Sequence, residues 1–219
     1  NEEYRKLRYL KFYPEYPTSG YQKAATGQVA TGLIPVKDYK TQIVWGIAVF
    51  DININTLYAG LNEELKHIST TPIDYTTILK GAACSNNRQV LMHLPVPLLS
   101  DRWWVATHNT NPRIRAKSQG NVLELTWDGV VDVEALILDE ETKNIVDGSV
   151  YVSFNKGGWF FIKLDETHTL AEYFSWSNPG GSIPDYMLSY VSSFTESSIE
   201  DTFIAMETYA KNNVPDCHY

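Results

Sequence analysis

Residues Asn155 to Ala210 read as two strands, a sharp turn and a long amphipathic helix, and any fold must accommodate that order. Asn155-Lys156-Gly157-Gly158-Trp159-Phe160-Phe161-Ile162 and His168 to Ser177 are β-rich, and the polar Asp165-Glu166-Thr167 between them fits a hairpin turn. Asn178-Pro179-Gly180-Gly181 cannot continue a strand. Ser182 then caps a helix, with Asp185 three residues on and Pro184 in the first turn, where its missing N–H costs nothing. Met187, Leu188, Val191, Phe194, Ile199, Phe203, Met206 and Ala210 recur mostly at three- and four-residue steps, so one face of this helix is apolar.

Upstream, Val29 to Val36 and Gln42 to Phe50 read as strands joined by a turn at Lys37-Asp38-Tyr39-Lys40. The period then changes: Ile54, Leu57, Tyr58, Leu61, Leu65 and Ile68 share a helical face, with Asn62, Glu63, Glu64 and Lys66 opposite and Pro72 as the stop. Tyr75 to Ala83, Gln89 to Val96, Arg102 to Asn109, Val122 to Trp127 and Val131 to Leu138 are further strand-like runs. Residues 1–27 read as a helix or strand followed by a loop at Tyr16-Pro17-Thr18-Ser19-Gly20. The expected class is α+β, an antiparallel sheet of about seven to nine strands closed by one long terminal helix. With no repeat or linker in 219 residues, the chain divides into an extension of the same domain (1–28), the domain proper (29–211) and a tail (212–219).

Several function classes fall away on charge and pattern. A net charge of -8 lacks the basic surface that phosphate binding needs, so no nucleic-acid partner is expected. The one basic cluster, Arg5, Lys6, Arg8 and Lys11, is explained by a solvated face. The longest apolar run, Ile43 to Phe50, is far shorter than the roughly 20 residues that span a bilayer. His67, His93, His108, His168 and His218 show no metal-ligand spacing, and there is no G-x-S-x-G elbow, so no metal, cofactor or catalytic residue is assigned. Cys84 and Cys217 fit two free thiols or one disulfide equally well. The absence of an initiator Met favours a periplasmic or secreted protein over a cytoplasmic one.

Three segments converge on a known family: Met92-His93-Leu94-Pro95-Val96-Pro97 leading into Ser100-Asp101-Arg102-Trp103-Trp104-Val105, then Gly157-Gly158-Trp159, and Thr169-Leu170-Ala171-Glu172-Tyr173 running to Pro179-Gly180-Gly181-Ser182-Ile183-Pro184. In this order and spacing the sequence resembles the START domains, the lipid-transfer domains related to the steroidogenic acute regulatory protein, over roughly Val29 to Ala210. The resemblance implies a helix-grip fold, a curved antiparallel β-sheet wrapped around the C-terminal α-helix and enclosing a hydrophobic cavity for one lipid. It also implies a monomer that contacts membranes transiently and performs no chemistry. In the family's sterol carriers an Arg late in one strand pairs with an acid in the preceding strand. The matching positions here are His108 and Leu94, and Asp101-Arg102 reverses the family's Arg-Asp order, so that ion pair is not expected.

Alternation places Arg102, Trp104, Ala106 and His108 on one strand face. The resemblance makes this the tunnel face, with Met92, Leu94, Phe160, Ile162 and Tyr173 as the matching positions on neighbouring strands and Leu188, Val191, Thr195, Ile199 and Phe203 on the helix. His108 contacts either a ligand's polar group or a hydrogen-bonding partner in the core. The helix reads as a lid hinged at Gly180-Gly181, with the tunnel mouth between it and the loop after Gly129. The expected ligand is a single, sterol-like lipid. The rivals are an enzyme on the same grip fold, of aromatase/cyclase or hydrolase type, and an interaction module with a filled core.

Overall fold

The computed structural model describes residues 2–217 apart from 11, 37–40, 67–70, 131, 133, 182 and 184–187, and for 2 and 188–195 it describes the backbone. The elements run α1 (Glu2–Arg5), α2 (Thr18–Ala24), β1 (Ala30–Pro35), β2 (Gln42–Phe50), α3 (Ile54–Leu61), a 3-10 turn (Glu64–Lys66), β3 (Tyr75–Lys80), β4 (Asn87–Leu94) and β5 (Arg102–Thr110). They continue with α4 (Pro112–Lys117), β6 (Val122–Gly129), α5 (Glu140–Val146), β7 (Val150–Tyr151), β8 (Phe154–Lys163), β9 (Thr169–Asn178) and α6 (Leu188–Asn212). Among the described residues the strands form one sheet in the order β1-β2-β9-β8-β6-β5-β4-β3, antiparallel throughout, with β7 joining β5 in parallel.

The sheet wraps α6, and its central strands β2, β6, β8 and β9 are buried on both faces, alternate residues turning to each. On the inner face Val44, Leu123, Leu125, Trp159, Phe161 and Tyr173 meet Ile199, Phe203 and Met206 of α6. Phe203 stacks on Phe50 at 5.7 Å and approaches Trp159 at 4.8 Å between ring centroids. Gly46 makes that approach possible, since a Cβ there would stand 2.7 Å from the Phe203 ring.

The outer face is also buried, under the N-terminal segment. Trp45, Ile47 and Phe174 pack against Ala24 with Tyr13, Tyr16 and Tyr21, while Phe160 and Ile162 pack against Ile114, Tyr4 and Leu7. Two acids on this face take partners from that segment, and Glu124 one more from Asn111. Glu172 accepts from Arg8 Nη2 at 3.0 Å and Tyr21 Oη at 2.8 Å. Glu124 accepts from Tyr13 Oη and from Asn111 Nδ2 at 2.6 Å, and burial still holds its pKa above the usual carboxylate range. Arg8 is therefore not on a solvated face: it is buried, with Phe160 and Tyr13 rings 3.5 and 4.0 Å from its guanidinium carbon.

Other expectations are corrected. Thr18-Ser19-Gly20 opens α2 instead of a loop, and the described residues between Gly129 and α5 form no strand: Val130, Leu136 and Leu138 pack on the outer face beside Trp103, away from α6. The helix from Ile54 ends at Leu61, and the expected solvent side, Asn62, Glu63 and Glu64, is buried. The cap expected at Ser182, with Pro184 and Asp185, lies outside the described residues.

Cys84 and Cys217 are joined, with Cα atoms 5.4 Å apart, across a sequence separation of 133. The bridge ties the segment after α6 to the β3–β4 turn. Closing so long a loop removes much denatured-state entropy, about 3–5 kcal/mol, which at 2–4 °C per kcal/mol for a chain of this size is roughly 10 °C in melting temperature. Calorimetry of the Cys217→Ser variant against the oxidised protein is expected to show that drop; equal melting temperatures would mean the bridge does not constrain the chain.

Candidate functional site

Between the inner face of the sheet and α6 lies a cavity of about 300 Å³. Its walls are mainly apolar, with Met92 and Leu94 of β4, Trp104 of β5, Leu125 and Trp127 of β6 and Trp159 of β8. The loop end is formed by Val96 and Leu99 of the β4–β5 loop and by Pro179 and Ile183 after β9.

Polar side chains gather at the other end, where Glu64 and His108 face the space. His108 Nδ1 lies 2.9 Å from Glu64 Oε1. Arg88, fully buried on β4, donates through Nη2 and Nε to both Glu64 oxygens, through Nη2 to Asn62 Oδ1 at 2.9 Å and through Nη1 to the Ser85 carbonyl at 2.8 Å. Burial would raise the Glu64 pKa, but hydrogen bonds and charge from His108 and Arg88 hold it below the ordinary range. A buried ion pair is thus present beside the cavity, at positions other than the His108 and Leu94 that match the family's pair. The acid comes from the 3-10 turn after α3 and not from the strand before β5.

Of the residues expected to line the cavity, Met92, Leu94, Trp104, His108, Tyr173 and Ile199 do so. Ala106 and Phe203 are on the same face but lie in the packed cluster, not on the wall. Phe160 and Ile162 are corrected outright, because they face outward under the N-terminal segment. The reason is register: Tyr173 pairs with Trp159 and Glu172 with Phe160, so the inward residues of β8 are Trp159 and Phe161. The side chains of Leu188, Val191 and Thr195 lie outside the described residues. Glu64, Trp127 and Trp159 were missed. The two tryptophans are turned inward by register, Trp159 pairing with Tyr173 and Leu125, and Trp127 with Gly157.

Away from the cavity, His93 bridges Asp74 (Nδ1 to Oδ1, 2.6 Å) and Ser149 (Nε2 to Oγ, 3.1 Å). This order resembles a hydrolytic triad, but Ser149 is not among the cavity-lining side chains. The chain of bonds fastens the turn after α5 to β4.

A sheet gripping a terminal helix around an apolar space defines the helix-grip class, and within it this chain has the START-type fold. A STAR-related lipid transfer protein from Xanthomonas axonopodis is 15% identical and superposes with a TM-score of 0.66, covering 90% of this chain and 97% of its own. Human STARD10 is 13% identical with a TM-score of 0.66, over 96% of this chain and 78% of its own. An aromatase/cyclase, Zhui from Streptomyces sp. R1128, is 13% identical with a TM-score of 0.56, over 80% and 97%. At these identities the likeness is one of fold. No protein-family model and no curated protein matches the sequence.

Proposed function

We propose that the chain binds one hydrophobic lipid of sterol-like bulk in this cavity and carries it between membranes without altering it. The observation that carries the reading is the mainly apolar, tryptophan-lined cavity, with Glu64 and His108 at one end and Arg102 among its few other polar lining residues. Hiding a few hundred Å² of apolar ligand surface at roughly 25 cal/mol per Å² gives several kcal/mol of binding, enough for a useful affinity with one polar contact. Lipid transfer also accounts for Leu98, which is 85% exposed at the loop end with φ +68°, a side chain held out where a membrane would meet it. The disulfide supports an oxidising compartment. No helix among the described residues is long and apolar enough to cross a membrane.

The enzyme reading has one observation in its favour, the Glu64–His108 pair facing the cavity. It is the weaker reading because both Glu64 oxygens are already bound by Arg88 and its lowered pKa makes the carboxylate a poor proton acceptor. Native mass spectrometry of gently purified protein is expected to show one retained lipid of defined mass, released unchanged on denaturation. An empty protein that takes up no lipid from vesicles would sink the carrier reading, and a chemically altered product would favour the enzyme.

A further inference from the structure

Among the described residues three arginines are buried, and their surroundings differ in a way that bears on the ligand. Arg8 is matched by Glu172 and Arg88 by Glu64. Arg102, only 6% exposed and lining the cavity, has no carboxylate within ion-pair distance among the described residues. Its Nε donates to the Pro179 carbonyl at 2.8 Å and its Nη1 to the Ser100 carbonyl. Two of the five guanidinium N–H donors are thereby placed, and three have no hydrogen bond among the described residues. Gly181 lies beside them, since an added Cβ there would stand 3.9 Å from Nη2, at ordinary contact distance.

A buried charge without a counter-charge is costly, and proteins retain one where a bound partner neutralises it. Desolvation lowers the Arg102 pKa, with the neighbouring Asp101 opposing. Asp101 is committed elsewhere: Oδ1 accepts from Val96 N at 3.0 Å, and Oδ2 lies 4.0 Å from His93 Nε2. Asn155 and Ser177, paired in register on β8 and β9, line the same end of the cavity and supply neutral polar atoms.

We infer that the ligand is an amphiphile with an oxyanion, a carboxylate or a phosphate ester, held by Arg102 at the loop end, while its apolar body fills the cavity toward Glu64 and His108. Arg102 and His108 stand six residues apart on β5, about 20 Å at roughly 3.3 Å per residue, the span of a sterol acid or a medium-length acyl chain. This deepens the lipid-carrier reading and rests on it.

The test compares oleate, oleoyl lysophosphatidate and the neutral oleyl alcohol by displacement of a fluorescent lipid from the full chain, in wild type and in Arg102→Gln. A charge-assisted contact at a desolvated site predicts that at least one anion binds about ten- to a hundredfold tighter than the alcohol, and that Arg102→Gln abolishes this difference while alcohol binding persists. Which anion is preferred separates the carboxylate source from the phosphate source. Equal affinity for all three in wild type, or a preference undiminished in Arg102→Gln, overturns the inference and leaves the carrier reading standing; failure to bind even the alcohol overturns both. Should Arg102→Gln not fold, carboxyl-labelled oleate bound to wild type decides by NMR. Pairing with Arg102 requires the carboxyl group to titrate below its value in detergent micelles, and titration at or above that value overturns the inference.

Discussion

Replacing Arg88 by Met is expected to destabilise the protein by about 3–5 kcal/mol, read as a lowered urea midpoint with an unchanged slope. Arg88 is fully buried and Glu64 nearly so, and removing the guanidinium strands a carboxylate whose remaining side-chain bond among the described residues is to His108 Nδ1. The cost is that of an uncompensated charge and not the net worth of the pair. Adding Glu64→Gln to Arg88→Met should therefore recover a large part of the loss, and the double-mutant cycle should show strong coupling. The acid limb provides a second readout. Because the folded pKa of Glu64 is depressed, its contribution is present above the ordinary carboxylate range and is lost as pH falls through the folded value. In Arg88→Met that acid-side loss should shrink. Additive single and double variants would show that Glu64 and Arg88 are energetically independent.

The same cluster marks where sequence reading stops. The strands from Gln42 and Thr169 and the gripping helix were legible because their apolar spacing is regular and Pro179-Gly180-Gly181 punctuates it. Asn62, Glu63 and Glu64 follow Leu61 where a continued helix would turn them to solvent. Instead the chain leaves α3 and enters a 3-10 turn, and tertiary partners capture them: Arg88 for Glu64, Tyr209 Oη at 2.5 Å and Asp216 N at 2.6 Å for Glu63. No local pattern announces a partner 24 or 146 residues away. The error at Phe160 and Ile162 has another origin. A strand buried on both faces has no polar side to fix its parity, so Trp159-Phe160-Phe161-Ile162 reads equally well either way until pairing with β9 decides it. Arg102 was placed on the correct face by alternation, but that no carboxylate among the described residues lies within ion-pair distance became visible only once its neighbours were known.

A chain beginning at Ala25 is expected to lose cooperative folding, although the resemblance to START domains covers only residues from about Val29. The N-terminal segment forms one layer of the molecule: without it Trp45, Ile47, Phe160, Ile162 and Phe174 would pass from burial to solvent on a single sheet face. At about 1.5–3 kcal/mol for each large apolar side chain, the loss approaches or exceeds the 5–15 kcal/mol that stabilises a typical domain. Glu172 would lose Arg8 and Tyr21, and Glu124 would lose Tyr13, so the charge balance of the face goes with its packing. Near-UV circular dichroism and a urea titration check this: the shortened chain should give a broad, low-amplitude transition and bind a hydrophobic dye, where the full chain unfolds sharply. Arg8→Met separates the two contributions, because it keeps an apolar side chain between Phe160 and Tyr13 while removing the charge that answers Glu172. It should fold, with a lower midpoint than wild type. If the chain from Ala25 unfolds as sharply and at the same midpoint as the full protein, the N-terminal segment is an appendage and the sheet's outer face is stable in water.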